Sequence, residues 1–188
     1  RTMVSEGLKR TGYDEVALTS LSTADFSGIE QVVVDTVNDP DCGGQVSVSL
    51  PSLRVDAFTV GIAGEIQKAR RTGLTFAPEA GSERLRRIIN KPLDETVFLD
   101  TIEQVFRAGW QTIKFYFMIG LPGETDEDLQ GIGRIVAGAL DRARRAGVRK
   151  PTVNVTLSPF VPKAHTPFQW EPQQPAQELE RRLNFVRD

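Results

Sequence analysis

A chain of 188 residues with 39% hydrophobic residues carries enough apolar material for one domain with a full core, and no apolar run in it is long enough to span a membrane. The formal net charge of -2 shows no overall basic bias, so charge alone supports neither nucleic acid nor an anionic membrane as a partner. A single cysteine, Cys42, excludes an internal disulfide and an all-cysteine metal site within these residues, and a lone thiol fits a cytoplasmic setting.

The opening "RTMVSEGLKRTGYDEVAL" lacks the apolar stretch and small-residue cleavage site of a signal peptide. Residues 3–10 read as a helix, followed by a strand at 15–20 (EVALTS) and a helix at 28–36. A strand at 45–50 (QVSVSL), a helix at 57–71 and a strand at 74–77 (LTFA) come next. Helices at 82–89 and 94–108 lead to the strand at 112–119 (TIKFYFMI), a helix at 125–146 and a strand at 152–157 (TVNVTL). Strands thus begin about every thirty to forty residues, the spacing of a repeated βα unit, and parallel strands need such crossovers. The segments "RTGLTF", "RAGWQTIKF" and "RAGVRKPTVNV" each place a cation and a glycine between a helix and a strand, where both favour the helix end.

The first helix has no strand ahead of it, and the expectation is that a βα unit precedes Arg1 in a longer parent protein. After Trp170 the composition changes. "EPQQPAQELERRLNFVRD" opens with prolines and glutamines and ends as a polar amphipathic helix. The expected organisation is therefore a barrel-like domain over 1–170 and a linker with a C-terminal helix over 171–188, leading towards a further domain.

Parallel strands bring their C-terminal ends to one face, where α/β proteins place their chemistry. There the sequence collects Ser20-Leu21-Ser22-Thr23, Pro51-Ser52-Leu53-Arg54, Pro78-Glu79-Ala80-Gly81-Ser82, Gly120-Leu121-Pro122-Gly123-Glu124 and Ser158-Pro159-Phe160-Val161-Pro162. Simpler roles stand beside functional ones. Thr125 with the acids after it reads as a capping box, and Ser82 as a helix N-cap. Glu124 and Glu79 are not needed for capping, and Pro78 restrains the chain so that Glu79 points into the mouth. Arg54 suits a carboxylate of the protein or of a ligand. His165 and Lys163 read as surface residues, Cys42 as part of a turn, and the triplets "KARR", "RLRR" and "RARR" as solvated helix faces. There is no GxxxxGK[ST], HExxH or GxSxG, and "GIGRIVAG" lies inside a helix, so standard ATPase, zincin and hydrolase readings fail.

The order "LTSLSTADFSGIEQVV", "VSVSLPSLRVDAF", "GLTFAPEAGSERLRRIINK", "IKFYFMIGLPGETDEDLQGI" and "VNVTLSPFVPKAHTPFQW" resembles strands two to six of the radical S-adenosylmethionine (radical SAM) superfamily, over residues 10–170. Within it, the "GLPGET" strand end and the "SPF.PKP.TPFQW"-like segment resemble the branch of methylthiotransferases, elongator-type proteins and B12-associated proteins. The resemblance implies an α/β fold, a partial TIM-like (β/α) barrel of parallel strands with about five of its six strands present. It also implies an enzyme that cleaves S-adenosylmethionine reductively at a [4Fe-4S] cluster and starts radical chemistry on a further substrate.

Carried over by position, Ser20, Ser22 and Thr23 would contact the methionyl amino group and Arg54 the methionyl carboxylate. Glu79 and Ser82 would meet carboxylate or ribose, the Ile119 and Gly120 backbone would lie beside adenine, and Phe160 and Val161 would contact adenine. The family's CxxxCxxC loop is missing, since this chain has only Cys42. The expectation is a core fragment of the parent enzyme, inactive by itself because it does not hold the cluster; a cobalamin would belong to a separate domain. The substrate is unnamed, and an exposed barrel edge invites non-native association. Two alternatives of other classes remain: a barrel-like module that binds an anionic small ligand at its strand-end loops, and a structural domain.

Overall fold

The computed structural model describes residues 2–17, 26, 28–39, 46–49 and 74–188. Along the chain these form α1 (Thr2–Thr11), β1 (Glu15–Ala17), α2 (Ile29–Val37), β2 (Ser47–Ser49), β3 (Leu74–Glu79), α3 (Glu83–Ile88), α4 (Glu95–Arg107), β4 (Thr112–Ile119), α5 (Asp126–Arg145), β5 (Thr152–Pro159) and α6 (Ala176–Arg187). The helix expected at 57–71 lies outside the described residues. So do Ser20, Ser22, Thr23, Cys42 and Arg54.

Every described strand pair is parallel. β1 pairs with β2 through Val16 and Val48, and β3, β4 and β5 form a second sheet in that order. The α/β alternation and the parallel pairing agree with the expected class, and the three-stranded sheet is the longest run of the expected barrel among the described residues.

Alternation along β4 builds the core. Ile113, Phe115, Phe117 and Ile119 all point to one face and are buried there. On that face α4 contributes Phe98, Ile102, Val105 and Phe106, and α5 contributes Leu129, Ile132, Ile135, Ala139 and Ala143, each at helical spacing. Phe98 meets Phe115 with ring centroids 5.3 Å apart and Phe76 edge-on at 6.2 Å, geometries that aromatic pairs favour.

β3 runs two residues further than its apolar pattern predicts, through Pro78 to Glu79. Phe76 is paired with Phe115 but Glu79 with Phe117, so the strand carries one extra residue in a bulge. A bulge accommodates Pro78, which has no amide to donate to the ladder.

The C-terminal helix α6 returns to this body. Leu179 and Val186 pack against the main core cluster, and Arg181 pairs with Asp126 at the start of α5 at 2.9 Å.

Candidate functional site

The C-terminal ends of β3, β4 and β5 meet at one rim, and three sets of contacts tie them together. A small apolar cluster of Ala80, Leu85, Leu121 and Phe160 takes one residue or more from the segment after each strand. The Phe160 amide donates to the Ile119 carbonyl at 2.8 Å, and the Phe160 ring packs edge-on against Phe168 at 5.9 Å.

The second set is polar and centres on Asp128, in the first turn of α5. Its carboxylate accepts from the Thr125 amide and hydroxyl, both at 2.8 Å, which makes the expected capping box. It also accepts from the Ser82 hydroxyl and from Arg84, so the same carboxylate joins the β3 end to the α5 start. Burial alone would push the Asp128 carboxyl up; the hydrogen bonds from Ser82, Thr125 and Arg84 outweigh it and hold the group below its ordinary range. Ser82 is the N-cap of α3, accepting from the Leu85 amide at 3.1 Å. Beside this network the backbones touch: a Cβ on Gly131 would stand 2.1 Å from the Gly81 carbonyl oxygen.

The third set holds the β4 end. Gly120 has φ of +80°, which an L side chain adopts at a cost, and its amide donates to Glu124 Oε2 at 2.6 Å. Arg182 of α6 reaches the same oxygen at 2.6 Å, and the Glu124 side chain is 2% exposed. Burial raises the Glu124 carboxyl above its ordinary value, although the Gly120 amide and Arg182 pull the other way. Leu179 and Gln174 lie over Gly120, where a Cβ would meet them.

The expected site residues therefore differ in what they have left to offer. Glu79 has a positive φ of 67°, unusual for a non-glycine residue, and pairs with Lys91 at 2.7 Å with its side chain a quarter exposed. Val161 is exposed at the rim. The Ile119 side chain faces the core and its carbonyl is taken by Phe160, while the Gly120 amide is taken by Glu124. Phe160 is buried in the rim cluster. Asp128, Lys91 and Arg182 were not singled out from the sequence; only Asp128 had a signal, as the acid three residues after Thr125.

Among the described residues no group of three or more His, Cys, Asp or Glu side chains is placed to hold a metal ion. No described helix is long and apolar enough to cross a membrane.

Comparison with known proteins supplies a family. The sequence profile of the Radical SAM superfamily matches residues 3–136. The uncharacterized protein MJ0966 of Methanocaldococcus jannaschii is 35% identical over 169 residues, which cover 90% of this chain and 35% of that protein. Among solved structures, coproporphyrinogen III oxidase (HemN) from Escherichia coli, described as a radical SAM enzyme, superposes with a TM-score of 0.54 at 13% identity, covering 99% of this chain and 44% of that one. At that identity the likeness is one of fold. This chain thus spans about a third of the curated relative and less than half of the structural one. With a profile match across well over half of its length and a matching parallel fold, the chain belongs to the Radical SAM superfamily.

Proposed function

We propose that these residues form the S-adenosylmethionine-binding part of an enzyme that cleaves this cofactor reductively and starts radical chemistry on a further substrate. The observation that carries the reading is the family match over residues 3–136, which runs from α1 through the rim of β4 into α5. The cluster that supplies the electron in this family needs three thiolates, and this chain has one cysteine. The residues present do not fit the cluster, and no step is assigned to it on this chain; its ligands would come from elsewhere in the parent protein.

What these residues would do is bind and orient the cofactor. Glu79 is the best placed, because the bulge and positive φ hold a partly exposed carboxylate at the rim at a cost in backbone strain. Its role would be to accept from a ribose hydroxyl, with Val161 against the adenine. Ser82, Ile119, Gly120 and Phe160 would act as the frame of that site, through the hydrogen bonds and packing already described. Ser20, Ser22, Thr23 and Arg54 would hold the methionyl end.

The "GLPGET" rim together with "SPFVPKAHTPFQW" supports placing the parent in the methylthiotransferase, elongator-like and B12-associated branch. Residues 1–170 would be the barrel domain, and 171–188 would lead towards a further domain from a helix docked on the barrel.

The test is anaerobic reconstitution of the full-length open reading frame with iron and sulfide, followed by addition of reductant and S-adenosylmethionine. Reductant-dependent 5′-deoxyadenosine is expected. Glu79→Gln should weaken cofactor use by about tenfold with the cluster spectrum unchanged, equivalent to one charged hydrogen bond. A folded full-length protein that takes up no cluster would overturn the reading.

A further inference from the structure

The two faces of the β3–β4–β5 sheet differ in kind. One carries Phe76, Ile113, Phe115, Phe117 and Ile119 and is covered by helices. The other carries Thr75 on β3, Lys114 and Tyr116 on β4, and Asn154, Thr156 and Ser158 on β5, all but Thr75 exposed, with one apolar residue, the half-buried Met118, at its rim end beside Ser158. A parallel sheet is normally buried on both faces and apolar on both, so a hydrophilic second face marks a wall meant to meet water or a polar ligand.

The register gathers these groups. Thr75, Lys114 and Asn154 lie side by side in one row across the three strands, and Tyr116 and Thr156 form the next row towards the rim. Neighbouring strands stand about 4.8 Å apart and successive rows about 7 Å, so one small ligand group can touch both rows.

Charge singles out Lys114. Lys91, Arg84 and Arg182, three cations at the rim, are paired with Glu79, Asp128 and Glu124. Among the described residues Lys114 has no ion pair and no hydrogen bond. Glu79, the acid at the end of β3, is paired with Phe117 in the register, about three residues and 10 Å along the strand from Lys114, and is already engaged by Lys91. Among the described residues the face therefore holds one uncompensated positive charge, surrounded by neutral donors.

We propose that this polar face binds a carboxylate group of the substrate, with the Lys114 ammonium as its counter-charge and Asn154, Tyr116 and Thr156 as hydrogen-bond donors. A carboxylate monoanion matches the single charge, and its two oxygens can accept from the Lys114 ammonium and from a neighbouring neutral donor together. The proposal rests on the enzyme reading for the chemistry that follows, and assigns to it a carboxylate-bearing substrate.

The test uses the 188-residue chain with its lysines 13C-methylated, titrated with acetate or inorganic phosphate at constant ionic strength, with the Lys114 signal assigned by its loss in Lys114→Arg. Acetate should shift the Lys114 signal saturably, at a concentration at least about tenfold below that acting on Lys163. Asn154→Ala and Thr156→Val, both at exposed positions, should each weaken the response severalfold with the chain still folded by circular dichroism. A Lys114 signal that follows Lys163, insensitivity to both substitutions, or tighter binding of phosphate than of acetate would each overturn the proposal. No cluster or S-adenosylmethionine enters this measurement. Failure to form 5′-deoxyadenosine leaves it standing, and a flat titration leaves cofactor cleavage standing.

Discussion

Arg182 and Glu124 form a pair in which the two partners are not equivalent. The arginine side chain is 11% exposed and the glutamate 2%, and the carboxylate also accepts from the Gly120 amide. Removing the arginine leaves a buried carboxylate without its counter-charge, whereas neutralising the glutamate removes the buried charge itself. Arg182→Ala should therefore cost about 2–3 kcal/mol. Glu124→Gln should be as stable as the parent at neutral pH or more so, since burial already favours the uncharged form. Urea unfolding of the two variants checks the asymmetry; equal losses in both would show that the ion pair and not burial dominates.

Acid should act on Asp128 and Glu124 in opposite senses. Asp128 is held below its ordinary value of 3.8, so the native state binds its proton less readily than the unfolded chain does. Its contribution is present above that value and is lost as pH falls through the lower folded value. Glu178, held at about 2 by Arg181 and Arg182, loses its contribution in the same acid range. Glu124 is raised above 4.5, so the native state takes up its proton first; the stability this brings is present below 4.5 and is lost as pH rises through the higher folded value. Melting curves between pH 7 and 2 should show Asp128→Asn less stable than the parent at neutral pH and converging with it in acid. Glu124→Gln should converge with the parent below pH 4.5 and gain on it above.

Two glycines of α5, two residues apart, should respond oppositely to alanine. A Cβ at Gly131 meets the Gly81 carbonyl oxygen at 2.1 Å and the Gly81 carbonyl carbon at 2.6 Å, while one at Gly133 meets nothing within 4 Å. Gly131→Ala should push α5 away from the β3 end and cost about 2–3 kcal/mol by overpacking. Gly133→Ala should gain up to about 1 kcal/mol from helix propensity. Thermal unfolding distinguishes them, and a neutral Gly131→Ala would mean that the two segments do not touch in solution.

Ser82→Ala removes both the N-cap of α3 and the link to Asp128. The expected loss is about 1–2 kcal/mol, larger than for an isolated cap because the Asp128 carboxylate stays buried with fewer donors. Comparing Ser82→Ala, Asp128→Asn and the double variant with the unmodified protein gives the coupling directly. Additive losses would contradict a shared network.

Much of this protein was legible from local pattern. Alternation set the bounds of β4 at Thr112–Ile119 as observed, and helical spacing with caps placed α4 and α5 within a residue at each end. These features depend on neighbours a few residues apart, which a sequence displays. The apolar pattern of β3 stops short of the strand's end at Glu79 because its period breaks at the bulge, and a break in period looks like the end of a strand.

Which side chains meet at the rim was decided by tertiary structure. Asp128 announces itself only as a capping acid, yet its carboxylate also takes the Ser82 hydroxyl from 46 residues earlier. Arg182 lies in a polar helix with nothing in its surroundings to point to Glu124, 58 residues before it. Lys114 sits in an apolar run and stands out only when register sets it beside Asn154. Periodicity states which face of an element a residue occupies, and so determined the α/β alternation and the core. What that face meets depends on how crossovers bring distant segments together, and only the folded chain fixes it.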